Sequence, residues 1–123
     1  MALRRSILLV DDNVPLRSTL ADVLEDEGVD TSQAGRGDEA IGLIRQVRFD
    51  LLVLDLNLPD MTGVGLYNAV HEELPGVGCI FMTAEATEVL IEQALRLKPF
   101  DLLRKPFKVG LFRELVRRAI AAN

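Results

Sequence analysis

The stretch from Leu51 to Pro59 (LLVLDLNLP) constrains this chain more than any other, because four apolar residues run unbroken into Asp55 before a Pro-Asp-Met-Thr-Gly turn. A run without polar alternation is predicted to be a strand covered on both faces, and such strands belong to parallel sheets flanked by helices. Asp55 is thereby delivered to the C-terminal end of a buried strand.

Two other runs share the pattern. Ser6 to Val10 (SILLV) ends on Asp11 and Asp12, and Gly78 to Met82 (GCIFM) ends on Thr83. Val29 to Ala34 is shorter and more polar, as suits a sheet edge, and Asp101 to Leu103 is a short strand ending at Arg104-Lys105-Pro106. Helical spacing fills the intervals. Asn13 as N-cap and Pro15 in the first turn open a helix through Leu16, Leu20, Val23 and Leu24, stopped by Glu27-Gly28. Gly35 and Gly37 lead into a helix with the apolar face Ala40, Ile41, Leu43, Ile44 and Val47. Gly63 opens the third, with Val64, Leu66, Tyr67 and Val70 inward and a break at Pro75-Gly76. A fourth over Ala84 to Leu97, dotted with Glu85, Glu88 and Glu92, is expected to pack least firmly. The last, Val109 to Ala122, is expected to bury Leu111, Leu115 and Ile120 and to turn Arg113, Arg117 and Arg118 outward.

Strands alternating with helices in this way predict right-handed crossovers and an α/β fold, a doubly wound parallel sheet of five strands with helices on both faces. No linker interrupts the pattern, so residues 1–123 are read as one domain, long enough to bury roughly two thirds of the unfolded surface. A net charge of −5, with the basic residues scattered, argues against direct binding of nucleic acid by this domain. Cys79, the sole cysteine, lies inside an apolar run; it reads as a small buried hydrophobe and permits no intramolecular disulfide. The start MALRRSILLV is followed at once by two aspartates, which fits neither a signal peptide nor a membrane span, and a cytoplasmic protein is expected.

In sheets of this kind polar function gathers at the C-terminal strand ends, where Asp11, Asp12, Asp55, Thr83 and Lys105 all fall. If the first and third strands are neighbours, three carboxylates converge. Two charges about 5 Å apart at an effective dielectric near 20 repel by roughly 3 kcal/mol, so the cluster invites a cation. Mg²⁺ suits it, because Mg²⁺ takes a few carboxylate or carbonyl oxygens, keeps several waters and bridges to phosphate. Lys105 adds a fixed positive charge and Thr83 a hydroxyl donor, the groups that phosphoryl transfer requires. The chain has no glycine-rich phosphate cradle, so a nucleotide is not the expected phosphoryl source.

The ordered set Asp11-Asp12, Asp55 in LDLNLPDMTG, Thr83-Ala84 and Lys105-Pro106-Phe107 resembles the receiver domain of bacterial two-component response regulators over the full length. The resemblance implies a flavodoxin-like sheet of order 2-1-3-4-5, the order given by the chemotaxis member of the group. It implies that Asp55 accepts phosphate from a phosphohistidine on a partner histidine kinase or phosphotransfer protein. Asp12, Asp55 and the Asn57 carbonyl would hold Mg²⁺, and Asp11 a metal-bound water. It further implies a cis Lys105-Pro106 bond, a phosphoryl lifetime tuned by Asn57 and Glu85, and no enzymatic activity beyond self-catalysed phosphotransfer and dephosphorylation. The output surface would be the fourth helix, fifth strand and fifth helix, with Ile91, Leu95, Arg104, Arg113 and Arg117 as members of a partner or homodimer contact. Leu102 stands where the family usually has an aromatic that rotates on activation, and Lys98-Pro99-Phe100 replaces a small Gly-Ala pair. His71-Glu72 faintly resembles a kinase phosphohistidine box but reads as a solvated helix residue. Two alternatives stand beside the main reading. A Mg²⁺-dependent aspartyl-phosphate phosphohydrolase would want an acid where Asn57 stands, and a docking module that takes no phosphate would have lost an acid or the lysine.

Overall fold

The computed structural model describes residues 4–122, so the first three residues of the basic N-terminal prefix lie outside the described residues. The chain alternates β1 (Ser6–Val10), α1 (Val14–Asp26), β2 (Asp30–Ala34), α2 (Gly37–Ile44), β3 (Leu51–Asp55), α3 (Gly63–Val70), β4 (Gly78–Thr83), α4 (Glu88–Arg96), β5 (Asp101–Arg104) and α5 (Val109–Ala121), with a 3₁₀ turn at His71–Glu73 after α3. All neighbouring strands are parallel and their order is β2-β1-β3-β4-β5, which makes β1 and β3 adjacent as the carboxylate argument requires.

Strand periodicity divides the core in two. Ile7, Leu9, Val53, Ile80, Met82 and Leu103 point to the face covered by α1 and α5, where Leu20, Leu24, Phe112, Leu115 and Val116 meet them. Leu8, Val10, Leu52, Leu54 and Phe81 point to the opposite face, against Ala40, Ile44, Val64, Leu66, Val70 and Ala94 of α2, α3 and α4. Every residue of β3 is buried, whereas β2, with the sequence DTSQA, buries only Ala34 fully. Each fully buried leucine or phenylalanine contributes about 1.5–3 kcal/mol of transfer free energy.

Several boundaries differ from those expected, for local reasons. Helix α4 begins at Glu88, because Thr87 is its N-cap and accepts from the Leu90 N–H at 3.2 Å, while the Thr83 hydroxyl takes the Ala86 N–H and holds the preceding residues out of helix. It buries only Ala94, in line with its expected loose packing. Helix α2 stops at Ile44 and leaves Val47 41% exposed, beyond the face assigned to it. In α5 the apolar stripe is Phe112, Leu115, Val116 and Ala119, so Leu111 is 48% exposed rather than buried. Helix α3 ends at Val70, before Pro75-Gly76. Lys98, just past α4, adopts φ +54°, the left-handed region where glycine is usual after a helix.

Substitution of two glycines by alanine is expected to have opposite effects. A Cβ at Gly63 would overlap the carbonyl oxygen of Asp55, which is backbone and cannot move aside, so Gly63→Ala should lose about 1–3 kcal/mol. Gly42, inside α2 with open space around it, should gain about 0.5–1 kcal/mol as alanine. Chemical denaturation of both variants checks the signs.

Candidate functional site

The first three acids arrive by two short chain reversals. β1 ends at Val10, and Asp11 remains tied to the sheet through its N–H to the Ala34 carbonyl at 3.0 Å. Asn13 then starts α1 by accepting from the Leu16 N–H at 3.1 Å, which leaves Asp12 exposed at the mouth of the crevice. From the neighbouring strand, Asp55 projects beside Asp11. Asp11, Asp12 and Asp55 each offer an oxygen within 4.8 Å of the other two, a group that could hold a metal ion.

Lys105 comes from the far side of the sheet. Its ammonium donates to Asp11 Oδ2 at 2.6 Å and to Asp55 Oδ2 at 2.9 Å, and its own N–H is held by the Thr83 carbonyl at 2.7 Å. The Lys105–Pro106 bond is cis, as expected. The remaining oxygens of the two buried acids accept backbone N–H groups, Asn13 on Asp11 at 2.8 Å and Asn57 on Asp55 at 3.0 Å. Thr83 lies one residue past Met82, the register partner of Asp55, and is buried with its hydroxyl oxygen accepting from Ala86. Asn57 turns its side-chain amide to the Glu85 carbonyl at 3.3 Å, which joins the loops after β3 and β4.

Burial is the largest influence on Asp55 and raises its pKa above the ordinary carboxylate value; the Asn57 N–H and Lys105 pull it down, and the Asp11 charge adds to the rise. Burial also works against the charge on Lys105. Its hydrogen bonds to Asp11 and Asp55 outweigh that effect, so its pKa is raised and the ammonium persists. Burial pushes the Cys79 thiol far upward, consistent with an inert core residue.

Two contributors escaped sequence reasoning. Arg17, one turn into α1, donates to the Asp11 carbonyl at 2.7 Å and to Gln33 at 3.0 Å, buttressing the acidic turn from outside. Asp60, in the turn after β3, accepts from the Gly37 and Asp38 N–H groups at 2.8 and 2.9 Å. The available signal was indirect: Arg36 is the N-cap of α2 and makes no side-chain cap, so those donors needed an acceptor from elsewhere. Leu102 is half-buried against the α4 side of the core, beside Phe81. Arg113 and Arg117 face α1, where both meet Glu27 at 3.3 and 2.6 Å, so they sit on a different side of α5 from the surface grouped with Ile91 and Leu95. His71 stacks on Tyr67 at a ring separation of 5.7 Å, away from the acidic crevice.

A parallel sheet of this order with acids, threonine and lysine at its C-terminal edge defines a receiver-type fold. The chain belongs to the response regulator receiver domain family, whose model matches residues 7–117. It is 37% identical over 119 residues to the DNA-binding response regulator MtrA of Mycobacterium tuberculosis, covering 97% of this chain and 50% of that protein. It therefore spans about half the length of the curated relatives first matched. Among solved structures, a CheY-like receiver domain from Methanospirillum hungatei superposes with a TM-score of 0.92 at 26% identity, covering 98% of this chain and 96% of that one. The non-phosphorylated HemR receiver domain of Leptospira biflexa gives 0.88 at 32% identity, covering 96% and 95%.

The raised Asp55 pKa has a consequence for stability. A carboxyl that binds its proton more tightly when folded opposes folding once both states are ionised, and that opposition fades as pH falls through its folded and then its unfolded value. In metal-free buffer Asp55→Asn should therefore melt above wild type at neutral pH. The gap should narrow steadily on acidification, and thermal melts across that range would measure it.

Proposed function

We propose that this domain is a phosphorylatable switch in which Asp55 accepts a phosphoryl group from a phosphohistidine of a partner histidine kinase or phosphotransfer protein. The observation that carries the reading is the Lys105 ammonium bonded at once to the two buried acids, Asp11 and Asp55, with Asp12 completing the cluster. A carboxylate oxygen of Asp55 attacks phosphorus, the P–N bond breaks as the P–O bond forms, and the departing imidazole nitrogen takes up a proton. Lys105 transfers one of its hydrogen bonds from Asp55 to a phosphoryl oxygen, and Thr83 turns its hydroxyl proton toward another. The incoming imidazole has an approach beside Lys105, where Asn13, Leu16, Ala84, Pro106 and Phe107 line an open cavity of about 410 Å³.

The three carboxylates fit Mg²⁺, a hard cation; Asp12, Asp55 and the Asn57 carbonyl would hold it, and Asp11 would act through a water. When bound, the ion would neutralise charge on the transferring group. The phosphohydrolase alternative is disfavoured by Asn57, whose amide donates to the Glu85 carbonyl where an acid would be wanted. The reading includes no further enzymatic activity. We assign this domain no direct contact with nucleic acid, because Arg36, Arg45, Arg113, Arg117 and Arg118 are all ion-paired within it. Among the described residues no helix is long and apolar enough to cross a membrane, and the buried free Cys79 suits the cytoplasm. A partner or homodimer contact would draw on the exposed Val89, Leu95 and Leu111 of α4 and α5.

Incubation with acetyl phosphate, followed by intact-mass measurement, tests the assignment. Wild type should gain one phosphoryl group only when Mg²⁺ is present, and Asp55→Asn should gain none. Equal incorporation in the two proteins would sink it. The same phosphoprotein should decay within minutes in Mg²⁺ buffer, given Asn57 and Glu85; persistence for hours would remove those residues from lifetime control.

A further inference from the structure

The turn between β3 and α3 is anchored at two ends. At its base the Gly63 N–H donates to the Leu56 carbonyl at 2.9 Å, Asn57 bridges Thr62, and Gly63 lies too close to the Asp55 carbonyl for any side chain. At its tip the Asp60 carboxylate grips both N–H groups that open α2, Gly37 and Asp38, and the side chain of Met61 fills the space where a Cβ of Gly37 would be. The Asp60 side chain is only 16% exposed, and Arg36 approaches it at 3.9 Å. Asn57 sits between the two anchors, joined to the tip by the Leu58 N–H to Met61 carbonyl bond at 3.1 Å.

A carbonyl can serve a small cation demanding near-ideal geometry only if its peptide is held still. The turn's internal bonds would survive a rigid rocking about Asn57, and Leu58 and Met61 oppose such rocking only through apolar packing, which sets no direction. Asp60 removes that freedom by fastening the tip to a helix that is itself packed on the sheet through Ala40 and Ile44. Its two acceptor oxygens on two adjacent donors also define the angle of approach, as a single bond would not.

We propose that Asp60 is a positioning residue for the cation site: by clamping the turn to the start of α2 it holds the Asn57 carbonyl where a divalent ion can use it. The inference rests on the phosphoacceptor reading above and extends it to a residue that touches neither metal nor phosphate.

Amide NMR titration of the whole chain with Mg²⁺, in buffer of about 0.15 M ionic strength so that remote charge is screened, separates the possibilities. Asp60→Ala should bind Mg²⁺ about tenfold more weakly than wild type, the low end of the loss expected when a ligand's support is removed. Asp60→Asn, which keeps the shape and one acceptor oxygen, should fall between them and keeps the experiment decisive if the alanine variant does not fold. Glu39→Ala is the control: it also removes a negative charge and an acceptor at the start of α2, the one serving the Gly35 N–H at 2.7 Å, but leaves the turn alone. It should bind Mg²⁺ as wild type does. Wild-type affinity in both Asp60 variants, or an equal loss in Glu39→Ala, would overturn the positioning role. No Mg²⁺ response in wild type would overturn the phosphoacceptor reading and this inference with it.

Discussion

The ammonium of Lys105 is the contact on which the C-terminal edge of the sheet depends. Asp11 and Asp55 are almost wholly removed from water, at 1% and 7% side-chain exposure, and two such carboxylates side by side would repel by several kcal/mol at a low effective dielectric. One lysine at 2.6 and 2.9 Å offsets both. It can do so because the β5 backbone is pinned to β4 through Thr83, which makes the position of the charge a property of the sheet rather than of a flexible side chain. The arrangement balances one cation against two buried anions and a third at the rim, leaving the crevice short of positive charge. That deficit is the electrostatic ground for the cation site proposed above, since a divalent ion would balance the excess carboxylate charge.

The sheet was legible because burial on both faces leaves a plain trace: SILLV, LLVLD and GCIFM carry polar residues only at their ends, Ser6 and Asp55, so those ends could be located to within a residue. The acids and Lys105 were legible because each stands at the end of a strand or within two residues of it. Strand order came from family resemblance, because nothing in an apolar run says which run lies beside it. Helix faces were harder. In α5 both Leu111 and Phe112 are apolar, and only the packing of Phe112 against Phe107 and the sheet decides which of two adjacent stripes turns inward. The start of α4 was misjudged because Ala84 to Ala86 have strong helix propensity, yet the Thr83 hydroxyl competes for the Ala86 N–H. Asp60 was passed over as an ordinary turn residue because its partners are more than twenty positions away in α2.

The loops at the edge form a connected set. Arg17 ties the turn after β1 to β2, Asp60 ties the turn after β3 to α2, and Asn57 ties that same turn to the loop before α4. The loops beside Asp55 are thus fastened by side-chain hydrogen bonds to α2 and β2. The connection to α4 is softer, since that helix buries little more than Ala94 and hangs from a non-helical segment. Leu102 packs beside Phe81 on the same side of the sheet and has no polar tip to draw it toward solvent.

The two outermost strands carry a different consequence. An open sheet ends in two rows of unpaired backbone groups, each a template on which a strand from another molecule could grow. Here β2 presents Asp30, Thr31, Ser32 and Gln33 along one border, and the other is only four residues long and flanked by Asp101 and Arg104. A foreign strand docking on either side would have to desolvate charge or find too short a ladder to register against. The chain can therefore keep an almost entirely apolar centre in β1, β3 and β4 without offering it as a template, because its stickiest strands are never the ones at the margin.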